Sequence, residues 1–388
     1  MKKLVSFLFT AAAVAVCALI CLHCAGSVVL PYYKWNYTEP AEPTDIGSPY
    51  KHCYNGLENI EKHAYNEILL KIYDMPEKIS IPAIGGDSFN KVFSALLYDN
   101  PDLFFVGRKC TLTSHLLATD CAIEYIIDKE EYAAQKAELD GVCEAVVSSF
   151  TSPDDEWQTE KEIHDYITEN CEYKIVESEH VYSSAYGALV NGEAACEGYS
   201  KAAKLLFDKA GIESSVVSGI SRGFDGEYDP HMWNAVKING DFYYLDCTWD
   251  DPVSSDGKEY TAYSYFNVSD EMIESTHTDI SQDFGCDSTE ENYFIKTGRY
   301  FSAYDRSCEK KLASLVAEEL DSGSDTLQLR FGSKKVYDKA VADLIGSGRI
   351  YNVLKSAKNK TAVDFSTESL SYYKTPDQLL LTVILETD

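Results

Sequence analysis

His231-Met232-Trp233-Asn234-Ala235-Val236-Lys237-Ile238, then Asn239-Gly240, then Asp241-Phe242-Tyr243-Tyr244-Leu245-Asp246-Cys247-Thr248 is the stretch from which the rest of this 388-residue chain can be read. Two runs rich in aromatic and aliphatic residues flank Asn-Gly, the strongest short-range signal for a two-residue type I′ hairpin turn. Such a turn sets the register: Ile238 faces Asp241, and the numbers of every opposed pair sum to 479. His231 then opposes Thr248, and Trp233 opposes Asp246. Because side chains alternate with period two, His231 and Asp246 project from one face as diagonal neighbours, about 7–8 Å apart at the backbone and within side-chain reach. A histidine held by a carboxylate is the orienting half of a nucleophilic triad. Cys247 points to the opposite face and is read as core.

A nucleophile stands upstream. Asn191-Gly192-Glu193-Ala194-Ala195-Cys196-Glu197-Gly198-Tyr199-Ser200 leads into an amphipathic segment carrying Tyr199, Ala202, Ala203, Leu206 and Phe207, and Gly211 closes it as a C-cap. Cys196 is therefore expected at a helix N-terminus, where unpaired amides and the helix dipole favour thiolate and can also hold an oxyanion. A cysteine at a helix start is more often packed than reactive. What sets Cys196 apart is the agreement of separate fragments that supply a thiol, an imidazole and a carboxylate.

Cys196-Glu197-Gly198-Tyr199-Ser200, His231-Met232-Trp233-Asn234 and Leu245-Asp246-Cys247-Thr248-Trp249-Asp250-Asp251-Pro252 resemble the bacterial secreted transglutaminase-like superfamily. Order and spacing agree: 35 residues separate Cys196 from His231 and 15 separate His231 from Asp246. Papain-type enzymes place cysteine and histidine about 130–150 residues apart, so papain topology is not expected. The likeness is specific over about 155–270 and looser upstream, where Ala95-Leu96-Leu97-Tyr98-Asp99-Asn100-Pro101 is similar to a flanking region of such proteins; after residue 300 there is none. The resemblance implies an α+β fold: a transglutaminase-like core of the papain-like cysteine-protease superfamily, with the nucleophile helix packed on an antiparallel sheet. It implies Cys196 as nucleophile, His231 as general base and acid, and Asp246 as the residue that orients the imidazole. No oxyanion-hole side chain is assignable by motif, which leaves the backbone at Cys196. Trp233, Asn234 and Trp249 are expected to be structural, and so are His164 and His277, although both stand at positions often seen in these proteins.

The implied chemistry is attack of Cys196 on a peptide or glutamine-type amide, giving a thioester. Water then makes the protein a peptidase or amidase, and an amine makes it a cross-linking transglutaminase. The partner is a protein or peptide substrate, cell-wall and surface proteins among them. The contrasting reading is a cell-surface binding module that keeps the fold without turnover; intact Cys196, His231 and Asp246 argue against it.

Composition narrows the rest. With 45% hydrophobic and 25% charged residues the chain is globular, and its 63 acidic against 34 basic residues give a formal charge of −29 that disfavours nucleic acid. Met1-Lys2-Lys3 and the apolar run Leu4 to Leu22, interrupted only by Ser6 and Thr10, read as an export signal over residues 1–26, or as an uncleaved N-terminal membrane anchor, because these 19 residues approach the roughly 20 that span a bilayer. The body is then secreted or on the extracellular face. Of 12 cysteines, Cys17, Cys21 and Cys24 lie in the leader, and Cys110 with Cys121 is the preferred disulfide pair. No cofactor motif or metal set emerges: Cys21-Cys24 lies in the leader, and Asp250-Asp251 with Asp256 and Glu259 lacks the ordered spacing of a calcium loop.

The chain divides into the leader, a linker over 27–48 with Pro31, Pro40, Pro43 and Gly47, an α/β flanking region over 49–150, the catalytic domain over 151–300, and a small C-terminal α/β region over 301–388. Periodicity predicts one helix from His52 to Tyr73, another from Ser88 to Tyr98, strands at Leu103–Val106 and Ile123–Ile127, and a helix from Glu130 to Phe150. A helix bearing Trp157, Ile163 and Ile167 follows. The tail reads as helix (Asp305 to Leu320), strand (Thr326 to Phe331), helix (Val336 to Ile345), strand (Ile350 to Leu354) and strand (Gln378 to Glu386).

Overall fold

The hairpin forms in the predicted register only from Ile238–Asp241 to Asn234–Leu245; β8 ends at Leu245 and the chain turns, so the expected oppositions of Trp233 with Asp246 and of His231 with Thr248 do not form. In the computed structural model, which describes residues 16–18, 30–175, 180–223, 226–252 and 260–387, Asn239 and Gly240 have φ of 53° and 99°. These are the positive values that a type I′ turn requires. Ile238 pairs with Asp241 and Asn234 with Leu245. The leader lies almost wholly outside the described residues, as do Cys21, Cys24, Asp256 and Glu259.

From the N-terminus, strands β1 (Ile79–Pro82), β2 (Val106–Ser114) and β3 (Ala118–Tyr125) form a three-stranded sheet in the order β1-β3-β2. It packs on helices Asn59–Ile72 and Gly86–Asp99 around Tyr65, Ile68, Leu96 and Phe105. The central region holds a short parallel pair, β4 (Glu172–Tyr173) with β5 (Glu193–Ala194), and a four-stranded antiparallel sheet. That sheet runs β8-β7-β6-β9, from β6 (Ser214–Arg222), β7 (Tyr228–Ile238), β8 (Asp241–Leu245) and β9 (His277–Thr278). One of its faces buries helix Cys196–Ala210 through Tyr199, Ala203, Leu206 and Phe207, and the other covers Val217, Trp233 and Tyr244. In the C-terminal sheet, β10 (Tyr300–Phe301), β11 (Thr326–Phe331), β12 (Phe365–Thr375) and β13 (Leu380–Thr387) run in the order β10-β11-β13-β12, with helices Cys308–Asp321 and Ile350–Ala357 against it.

Several sequence expectations are corrected. Ile350 to Leu354 is the start of a helix, not a strand; Ile350, Val353, Leu354 and Ala357 are buried at helical spacing, which a five-residue apolar run does not reveal. The strand β12 is absent from the sequence expectations, because its polar sequence Phe-Ser-Thr-Glu-Ser-Leu-Ser-Tyr-Tyr-Lys-Thr lies at a sheet edge and is only partly covered. The helix expected from His52 to Tyr73 is broken: His52–Asn55 forms one turn, and Glu58 and Glu61 make a reciprocal capping box that starts a new helix at Asn59. Within 27–48, read as irregular, Leu30–Tyr37 is helical and buries Trp35, whose indole donates to Glu67 at 3.2 Å. Leu103 and Phe105 are buried in a turn ahead of β2 rather than in a strand. Cys110 and Cys121 lie diagonally across β2 and β3 as hydrogen-bonded free thiols rather than a disulfide. No helix among the described residues is long and apolar enough to cross a membrane.

Candidate active site

The diagonal contact predicted from the hairpin closes. His231 Nε2 lies 2.7 Å from Asp246 Oδ2, with the ring 6% exposed and the carboxylate 1% exposed. Asp246 Oδ1 accepts from the backbone amides of Thr248, at 3.0 Å, and Trp249, at 3.2 Å. Burial alone would raise the Asp246 carboxyl, but the charge and hydrogen bond of His231, joined by the hydrogen bond and charge of His277, hold it well below the usual carboxylate range. Burial would likewise lower His231, yet the Asp246 charge and hydrogen bond, with Cys196 behind them, bring it up to about 10. The ring is thus held as imidazolium through neutral pH.

Cys196 is the first residue of helix Cys196–Ala210. Its amide and that of Glu197 belong to the first turn, whose N–H groups have no intrahelical acceptor. Asn234, on β7, ties that helix to the sheet: its Nδ2 donates to Ser200 O at 2.9 Å, so the thiol and the imidazole share one rigid frame. Cys196 and His231 line the same cleft, and Cys196 is among the groups that raise His231. With Nε2 on Asp246, Nδ1 is the ring nitrogen left for the thiol. Trp233 is fully buried and stacks on His231 at 6.0 Å, and Trp249 packs on the same ring at 5.8 Å. Cys247 is buried in the core beneath the hairpin, on the side away from His231.

Cys196 and His231 open on a solvent-facing cleft of about 620 Å³. One wall comes from outside the central region: Tyr98, from helix Gly86–Asp99, and Arg108, from β2, line it. Arg108 Nη2 donates to Glu197 Oε2 at 2.8 Å and to Ser183 Oγ at 2.6 Å, beside Cys196. Tyr173 forms another part of the lining, and the sequence alone did not single it out. The parallel pairing of Tyr173 with Ala194 places it two residues from Cys196 in space though 23 away in sequence. Burial, then the Cys196 and Asp246 charges, push its phenol up to about 12, so at neutral pH it is a donor.

Two histidines complete the surroundings. His164 is fully buried: Nδ1 sits 3.0 Å from Asp165 Oδ1, and Nε2 sits 3.3 Å from Asp250 Oδ2 in a charge contact rather than an aligned hydrogen bond. It braces the turn after Asp246 and does not line the cleft. His277, expected to be structural, has Nε2 3.2 Å from Asp246 Oδ2. Among the described residues, His231, Asp246 and His277 form one grouping with metal-ligand spacing, their ligand atoms within 4.8 Å of one another. Both Asp246 oxygens are already occupied by N–H donors, so the grouping is a closed hydrogen-bond network.

Residues 144–247 match the family model described as the transglutaminase-like superfamily. The human kyphoscoliosis peptidase is 27% identical over 129 residues, 30% of this chain and 19% of that protein. Among solved structures, one described as a TGase is 14% identical over 48% of this chain and 53% of its own, with a TM-score of 0.28. A candidate cysteine protease from Cytophaga hutchinsonii is 12% identical over 36% and 61%, with a TM-score of 0.24. The chain thus spans less than two thirds of each of these relatives. Within the matched span a helix that starts at Cys196 packs on an antiparallel sheet, so the central region has a transglutaminase-like fold.

Proposed function

We propose that this chain is an exported cysteine acyl-transfer enzyme that acts on peptide or glutamine-type amides, with Cys196 as nucleophile, His231 as base and acid, and Asp246 as the group that orients His231. The observation that carries the reading is the buried His231–Asp246 pair at 2.7 Å, with Cys196 lining the same cleft as His231. His231 holds the Cys196 proton as the sulfur attacks the carbonyl carbon to form a C–S bond. The oxyanion is met by the amides at the start of the helix and by the Tyr173 hydroxyl. His231 returns the proton to the nitrogen as the C–N bond breaks, so an amine leaves and a thioester remains. Water then attacks; His231 takes its proton, and the carboxylic acid and the thiol are released.

The cleft is open to solvent, which supports hydrolysis over transfer to an amine, since transamidation depends on keeping water out. Mass spectrometry of the purified protein with glutamine-containing peptides, with and without a primary amine, tests the reading. Cleavage or deamidation supports the hydrolase, and incorporation of the amine makes it a transferase. No covalent adduct and no turnover, from a folded protein whose Cys196 is reduced, would leave only a binding module.

A further inference from the structure

Asp246 serves two histidines. Its Oδ2 accepts from His231 Nε2 at 2.7 Å and lies 3.2 Å from His277 Nε2. His277 is fully buried, and its Nδ1 lies 2.9 Å from the Thr276 hydroxyl. A carboxylate only accepts, so at this contact Nε2 carries a proton and His277 donates to Asp246.

A dedicated segment brings it there. β9 pairs with β6 at Ser221 and His277, Arg222 N donates to Thr276 O at 2.8 Å, and Ser281 N donates to Ser218 O at 2.8 Å. Beneath this strap lies Gly219, where a Cβ would come within 2.7 Å of both Thr278 O and Trp233 Cη2. A side chain there would lift the strap, and His277 with it. Trp233, Trp249 and Tyr265 enclose the His277 ring at 4.8, 5.0 and 5.3 Å, which fixes its direction.

We propose that His277 is a positioning residue of the acyl-transfer site, donating from Nε2 to Asp246 so that the carboxylate keeps one orientation and divides its charge between two imidazoles. The proposal rests on reading Cys196 and His231 as nucleophile and base. A donor on a carboxylate favours the anion and draws off charge that would otherwise fall on the other partner. Without His277 the carboxylate is less firmly aimed, and its charge falls more fully on His231, which holds the imidazolium to higher pH. The other titratable groups that face the cluster are Cys196 and Tyr173 from the cleft, Asp229 near the start of β7, and Asp250 and Tyr265 from the segments behind it. Changes at position 277 leave all of these in place.

The first arm of the test needs no known substrate. The rate at which iodoacetamide alkylates Cys196 is followed by intact mass as a function of pH for the full chain, for His277→Leu, for His277→Gln, whose amide nitrogen can replace the Nε2 donor, and for Thr276→Val. In the His277→Leu protein the alkaline inflection moves up by about half a pH unit or more. Turnover of a glutamine peptide falls about 10–100-fold, the range typical for losing a group that orients a primary ligand. His277→Gln restores most of both, and Thr276→Val, which removes the hydrogen-bond partner that holds the ring at Nδ1, shifts the inflection in the same direction by less. A lower melting temperature with an unmoved inflection in His277→Leu, and no recovery in His277→Gln, would overturn the proposal in favour of packing alone. If His277→Leu does not fold, an unmoved inflection in Thr276→Val overturns it. An ordinary thiol titration in the unmodified protein would instead remove the nucleophile assignment, and this inference with it.

Discussion

Replacing Asp246 with asparagine changes charge at nearly constant shape, and the structure sets the size of the effect. The introduced carboxamide would keep its carbonyl toward the amides of Thr248 and Trp249 and turn its NH2 toward His231 and His277, both of which now donate to Asp246. His231 Nε2 would then have to accept, which moves the ring proton to Nδ1, the nitrogen that must take the thiol proton. Asp246 is also the main reason that His231 stands at about 10 instead of roughly 6.5. At 6% exposure little of that interaction is screened by solvent. Each pKa unit is worth about 1.4 kcal/mol, so losing the carboxylate weakens the hold on the imidazolium by on the order of 5 kcal/mol, or up to roughly a few thousandfold in rate. Iodoacetamide alkylation at pH 7 and kcat/KM on a cleaved peptide should both fall by that order, with the far-UV circular dichroism unchanged. A folded Asp246→Asn protein that works within about tenfold of the parent would refute the assignment of Asp246 and the ion-pair argument together.

Cys247→Ala, one residue along and facing the core at 3% exposure, should lose about 1 kcal/mol of stability in urea while keeping its turnover; an inactive but stable protein would mean that the face assignment is wrong. Tyr173→Phe should lower kcat by roughly 10²–10³ with little change in KM if the phenol meets the oxyanion, and an unchanged kcat would leave that task to the helix amides. Glu160 is fully buried against Asn267 at 2.6 Å, and burial, outweighing that hydrogen bond, raises it to about 8. The folded protein therefore holds a proton that the unfolded chain has already lost above about 4.5, so this group's contribution to stability falls as pH rises through that window. Urea midpoints at pH 5 and pH 8 should show Glu160→Gln gaining on the parent at the higher pH, and an equal gap at both would contradict the shift.

The residues legible in the sequence were those whose placement is decided locally. Asn239-Gly240 can satisfy positive φ at both turn positions, and the register it sets from Ile238–Asp241 to Asn234–Leu245 brings His231 and Asp246 to the same end of the hairpin, while the turn after Leu245, held by the Thr248 and Trp249 amides on Asp246, aims the Asp246 and Cys247 side chains. Gly211 and the spacing of Tyr199, Ala203, Leu206 and Phe207 were sufficient to bound the helix behind Cys196. Ile350 to Leu354 misled because a short apolar run satisfies either period, and only the burial of Ala357 with Ile350, Val353 and Leu354 selects the helix. β12 escaped because an edge strand is held by backbone pairing with β13 and needs no apolar alternation of its own. Tyr173 and His277 belong to a third kind. Parallel pairing with β5 brings one to the cleft, and pairing with β6 over Gly219 brings the other to Asp246. Those contacts join segments between which no turn dictates a register, so the packing of the whole sheet decides them, and a single sequence carries that information only in the folded state.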